Sequence, residues 1–137
     1  MSDYPRQDPR YHQGIDLFNR TKFFEAHEVW EELWHETRGE PKDFVQGLIQ
    51  WASSLHHFGN GNMKGTRMLF DSGVELLSPY GDGYEGIDLK ELKQQMTRCL
   101  GPVLEHPLEK LAGRAGGEGL LRFKLDETKL PKIGVTS

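Results

Sequence analysis

Apolar residues recur at helical spacing along most of this chain. Between Tyr11 and Asn19 the apolar members are Ile15, Leu17 and Phe18, the pattern of a short first helix. A second helix is predicted from an N-cap at Thr21 to about Thr37. At about 100° per residue, Phe23, Ala26, Trp30, Leu33 and Trp34 make one stripe, with Glu25, Glu32 and Glu36 opposite. Gly39 stops that helix, and Pro41 suits the first turn of a third helix running from about Lys42 to Phe58. Gly59-Asn60-Gly61-Asn62 breaks it. A fourth helix fits residues 63–78 with Gly65, Met68, Leu69, Gly73, Leu76 and Leu77 turned inward. After a Gly- and Tyr-rich loop, Asp88 with Glu91 reads as a capping box. It opens a fifth helix with Leu89, Leu92, Met96, Cys99 and Val103 as its stripe, and Pro102 kinks or ends it.

Residues 1–10 read as an irregular arm. Residues 113–119 hold four glycines in seven positions and predict a flexible break. The final stretch alternates apolar residues and is expected to lie extended on the bundle. The expected architecture is therefore all-α: a single-domain bundle of about five helices, with its core in residues 11–112 and a flexible or surface-packed tail in 113–137. A chain of 137 residues is one domain by length.

The third helix stands apart. From Phe44 to Met63 there is no Asp, Glu, Lys or Arg. An exposed helix normally carries charge on one face, so this one is expected to be covered on most sides. Gln46, Gln50, Ser53, Ser54, His56 and His57 are too polar a set for a membrane span. Gln46, Gln50 and His57 fall within about 40° of one another, opposite Phe44, Leu48, Trp51 and Leu55. A short connection makes the second and third helices antiparallel neighbours. The neutral row then meets His27, Glu28 and Glu31, giving one shared polar cluster of His27, Glu28, Glu31, Gln50 and His57 held away from solvent.

The run Phe23-Phe24-Glu25-Ala26-His27-Glu28, then Glu31 and Trp34, is followed by Gln46-Gly47-Leu48-Ile49-Gln50, His57, Gly61-Asn62 and Gly65. With Asn19 ahead of it, this series resembles the family known as domain of unknown function 309, over roughly residues 11–78. The resemblance implies a small all-helical fold and no established activity. Its characteristic polar positions fall on Glu25, His27, Glu28, Glu31, Gln50, His57 and Asn62. Two departures stand out: Trp51 and two serines replace Ala-rich sequence after Gln50, and His56 stands where an aromatic is expected.

The leading chemical expectation is a metal site. His27 and Glu31, at i and i+4, would chelate one ion from one helix, and His57 would add a third ligand from the next. Two imidazoles, one carboxylate and an open position suit a divalent ion such as zinc, iron or manganese. Glu28 would be the general base, Gln50 and Asn62 would bind substrate, and the protein would be a metal-assisted hydrolase of a small molecule. His27-Glu28-Val29-Trp30-Glu31 has Glu where a zincin has its second His, and Glu32-Leu33-Trp34-His35 lacks the second copy that a di-iron bundle needs. The competing expectation is a non-catalytic helical binding or interaction module, with a metal-free His–Glu pair holding a ligand or locking the helices in register. Such a module would act through its surface, for instance as a homo-oligomer.

Charge and cysteine content narrow the partners. A net charge of −4 without a long basic run argues against nucleic acid. The lone Cys99 lies in an apolar stripe and fits a buried thiol in a reducing, cytoplasmic setting. The polar first residues, with two prolines, lack the apolar core of a signal peptide.

Overall fold

Six helices account for most of the chain in the computed structural model, which describes residues 4–113 and 121–136. They are α1 (Pro9–Asn19), α2 (Phe23–Glu36), α3 (Pro41–Gly59), α4 (Met63–Leu77), α5 (Leu89–Cys99) and the short α6 (Gly101–Leu104). Among the described residues there are only two isolated β-bridges, Ile87 with Val135 and Leu111 with Leu121. The protein is all-α, as its periodicity predicts, and none of its described helices is long and apolar enough to cross a membrane.

The helix that carries no charge beyond its first turn is central. α3 packs against α2 on one side and α4 on the other. Phe44, Val45, Leu48, Trp51, Ala52 and Leu55 are buried along it. With neighbours on two sides, a charged side chain here would lose water without gaining a partner, which accounts for the missing Asp, Glu, Lys and Arg.

One device builds both flanking helix pairs. The Trp30 indole N–H on α2 donates to the carbonyl of Tyr11 on α1 at 3.1 Å, and Gly14 lies under the ring. The Trp51 indole N–H on α3 donates to the carbonyl of Phe70 on α4 at 3.1 Å, and Gly73 lies under that ring. In each case the glycine is three residues after the acceptor, one turn along the same helix face. A glycine there lets a tryptophan approach the backbone closely enough to satisfy its buried donor.

Three local expectations are corrected. Thr21 is not the α2 cap: Lys22 occupies that position without a side-chain cap, and Thr21 turns the chain at φ 63°. Met68 does not face inward but is 59% exposed, while Thr66 and Phe70 are buried. The fourth helix is rotated from its apolar tally because the Thr66 hydroxyl donates to the Asn62 carbonyl at 2.8 Å, so that polar residue enters the core fully paired. The N-terminal arm is also partly ordered: Pro5–Gln7 forms a 3-10 turn, and α1 begins at Pro9 behind the Asp8 cap.

Pro102 does break the fifth helix, and α6 follows with that proline in its first turn. The tail lies extended on the bundle: Leu121, Phe123, Leu125 and Leu130 pack on the core and Ile133 is buried. Most of the predicted Gly-rich break, residues 114–119, lies outside the described residues. Cys99 is buried, and burial pushes its thiol up to about 11. It is expected to resist a thiol-specific disulfide reagent at pH 8 in native protein and to react at once in denaturant.

Candidate functional site

The first two turns of α2 and the last two turns of α3 border a cleft of about 560 Å³. Phe24 and His27 line it from α2, one turn apart. Ser53, His56 and His57 line it from α3, and Asn60 and Asn62 from the turn into α4. The antiparallel α2–α3 pairing places the start of one helix beside the end of the other, as the short connection predicts. Among the described residues, no Asp, Glu, Lys or Arg lines this cleft.

Hydrogen bonds orient its imidazoles. Asn62 caps α4, its Oδ1 accepting from the Gly65 N–H at 2.9 Å. That bond fixes which end of the amide is nitrogen. The Asn62 Nδ2 then lies 3.3 Å from His57 Nδ1 and can only donate to it, which puts a neutral His57's own proton on Nε2. Asn60 Nδ2 meets His56 Nε2 at 3.1 Å. Phe24 stands at tilted contact with both His27 and His56, with ring centroids 5.8 and 5.1 Å apart.

His27 and Glu31 are paired as the helical spacing predicts, with His27 Nε2 2.9 Å from Glu31 Oε2. Glu31 also approaches His35 Nε2 at 4.0 Å. The contact is direct, so the nitrogen and the carboxylate face each other and not a common third point. His27 Nδ1 is buried and has no hydrogen-bond partner. Among the described residues, no three His, Cys, Asp or Glu side chains are grouped to hold one metal ion.

The single buried cluster inferred from the helical wheels is thus only partly assembled. His27, His57 and Asn62 meet in the cleft. Glu31 reaches His27 from outside, and its side chain is 48% exposed, so it does not converge away from solvent. Glu28 and Glu25 are exposed, and Gln50 is half-buried without lining the cleft. α2 has α1 and α3 beside it but leaves the flank bearing Glu28, Glu31 and His35 in water, where ionised carboxylates keep their hydration. Sequence reasoning placed the Gly59–Asn62 turn at the pocket mouth, which holds for Asn60 and Asn62, and missed Phe24, Ser53 and His56 as lining residues. The signal for Ser53 and His56 is the i, i+3, i+4, i+7 spacing of residues 53, 56, 57 and 60, which puts these four on one side of the end of α3.

Fold and cleft together define a small helical protein with a histidine-lined site at one end of a helix pair. Residues 11–69 match the family model described as "Domain of unknown function (DUF309)", so that segment is similar to this family. A curated relative from Aquifex aeolicus (strain VF5), described as an uncharacterized protein, is 31% identical over 85 residues. The aligned part covers 61% of this chain and 26% of that protein, so the chain spans about a quarter of that relative's length.

Proposed function

We propose that the protein is a helical binding module that takes a small polar molecule in the histidine cleft. The observation that carries this reading is the lining itself: among the described residues, three imidazoles, two carboxamides and a hydroxyl beside the Phe24 ring, with no carboxylate or ammonium. Such a set offers hydrogen-bond donors and acceptors from several directions without a fixed charge, the kind of convergent polar groups that orient a ligand in a concave site. The His27–Glu31 contact supports it as well, because it is made within α2 and holds one wall of the cleft in place. The net charge of −4 sets the partner apart from nucleic acid. The buried thiol of Cys99 fits a cytoplasmic setting, and a second copy of the chain remains compatible with a binding role.

A metal-assisted hydrolase is the second reading, favoured by one feature. Glu31 holds His27 through Nε2 and leaves Nδ1 as the nitrogen without a partner, the arrangement in which a carboxylate orients a ligating histidine. His27 and His57 would then hold the ion, Glu31 would orient and not ligate, and Glu28 would act from the solvent side.

One comparison separates the two readings. Untagged protein purified without chelator is analysed for zinc, iron and manganese, and small carboxylic acids, amides and phosphates are screened by ligand-observed NMR. The binding reading expects far less than one equivalent of metal. It also expects at least one hit whose binding falls about tenfold or more in His57→Ala, a change of about 1.4 kcal/mol. One equivalent of metal that disappears in both His27→Ala and His57→Ala would replace it with the hydrolase.

A further inference from the structure

The histidine cleft does not end at Phe24. A second cavity of about 350 Å³ opens on the other side of that ring, and the two share Phe24, His56 and Asn60 as a common wall. Its lining adds apolar side chains to polar ones: Phe23 and Leu55 come from the bundle and Leu125 and Leu130 from the C-terminal tail, with Lys22, Glu25 and Glu127 beside them. Leu55 is fully buried and Phe23 nearly so, so the floor is apolar. Phe24 between the lobes is 45% exposed, unusual for a phenyl ring with no hydrogen-bonding role, and it offers a face to each side.

We propose that the two lobes form one site for a small amphipathic carboxylic acid, with its head among the histidines and its apolar body passing Phe24 onto the leucines of the tail. This rests on the reading of the histidine cleft as a small-molecule site. Charge sets the direction of the ligand. Among the described residues no carboxylate lines the first lobe, and the carboxamides of Asn60 and Asn62 carry N–H donors beside its imidazoles. The second lobe carries the exposed Glu25 and Glu127 against the single ammonium of Lys22, so an acid head is disfavoured there. Its floor of Phe23, Leu55, Leu125 and Leu130 gains instead from apolar contact. Leu125 and Leu130 lie outside the segment that matches the family, so this lobe is a property of the chain's own tail. The tail thereby acquires a role beyond covering the core: it selects the body of the ligand, while the family segment holds its head.

The test uses the full chain, labelled with nitrogen-15, and two probes: 4-phenylbutyrate and acetate. 4-Phenylbutyrate is expected to shift the amides of His57 and Asn62 and those of Leu125 and Leu130 along one saturation curve. Acetate is expected to shift only the first pair and to bind about tenfold or more weakly. Phe24→Ala, at a half-exposed position shared by both lobes, is expected to weaken 4-phenylbutyrate several-fold. Leu125→Glu, on the half-buried tail and outside the histidine lobe, is expected to weaken 4-phenylbutyrate and leave acetate unchanged. Equal affinity of the two probes, with shifts confined to the histidine lobe, would overturn the bipartite site and leave the polar cleft standing. No saturable shift from either probe would remove both.

Discussion

Gly73→Ala is expected to destabilise the protein by about 2–4 kcal/mol, combining overpacking with a displaced indole donor. A Cβ at this position would sit 2.3 Å from Trp51 Cδ1 and 2.4 Å from its Nε1. Those are ring atoms of a buried side chain, so they cannot swing aside as the end of a flexible chain would. The ring must translate, and the bond from its N–H to the Phe70 carbonyl lengthens with it. Gly14→Ala is expected to behave alike, since its Cβ would lie 2.0 Å from Trp30 Nε1. Urea unfolding monitored by circular dichroism measures both, and the midpoint of heat denaturation should fall by roughly 6–12 °C. Gly59→Ala is the control. It is the last residue of α3 and a Cβ there meets nothing within 4 Å, so the change should be neutral or stabilising by up to about 1 kcal/mol. In a Trp51→Phe background, which lacks Nε1, the penalty of Gly73→Ala should shrink by at least about 0.5 kcal/mol. A full penalty in that background would mean that the strain does not pass through the indole.

The same contacts explain what the order of residues made legible. The second and third helices, their antiparallel pairing and the central position of α3 all follow from local signals: a clean stripe, a short connection and twenty positions without a formal charge from Phe44 to Met63. The His27–Glu31 pair follows from i, i+4 spacing alone. The rest depended on partners that a wheel does not show. Whether Glu28 and Glu31 are covered is decided by which flank of α2 its neighbours leave open, and a helical projection treats both flanks alike. The rotation of α4 turns on Thr66, which becomes a core residue only because Asn62 precedes it by four and accepts its hydroxyl proton. His56 was visible as a departure from the family pattern, yet its place in the cleft depends on Phe24 and Asn60 reaching it from either side. The wall built by Leu125 and Leu130 was the least legible part, because the tail is placed by bonds that span most of the chain.

Asn19→Ala tests those bonds and is expected to release the tail. The Asn19 side chain makes a two-way contact with one residue, Nδ2 donating to the Ile133 carbonyl at 2.8 Å and Oδ1 accepting from the Ile133 N–H at 2.7 Å. Ile133 is buried and both bonds are partly buried, so alanine would leave a peptide N–H and a C=O without partners in a place that water reaches only in part. Each unsatisfied group costs about 1–3 kcal/mol, and the pair about 2–4 kcal/mol. The chain has a cheaper response than global unfolding. The tail is extended and is joined to the bundle by few backbone bonds, so it can lift away while the helices stay packed. Hydrogen exchange should therefore show protection at the Ile133 amide falling by about thirtyfold or more, with the amides of α3 little changed. Asn19→Asp keeps the acceptor for the Ile133 N–H but turns a second oxygen toward the Ile133 carbonyl, so its loss of protection should be intermediate. Because Leu125 and Leu130 travel with the tail, Asn19→Ala should also weaken 4-phenylbutyrate without affecting acetate, which ties a polar side chain on α1 to the apolar half of the site across more than a hundred residues of sequence. Unchanged exchange at Ile133 would show that apolar packing alone seats the tail, and the wall of the second lobe would then stand independently of Asn19.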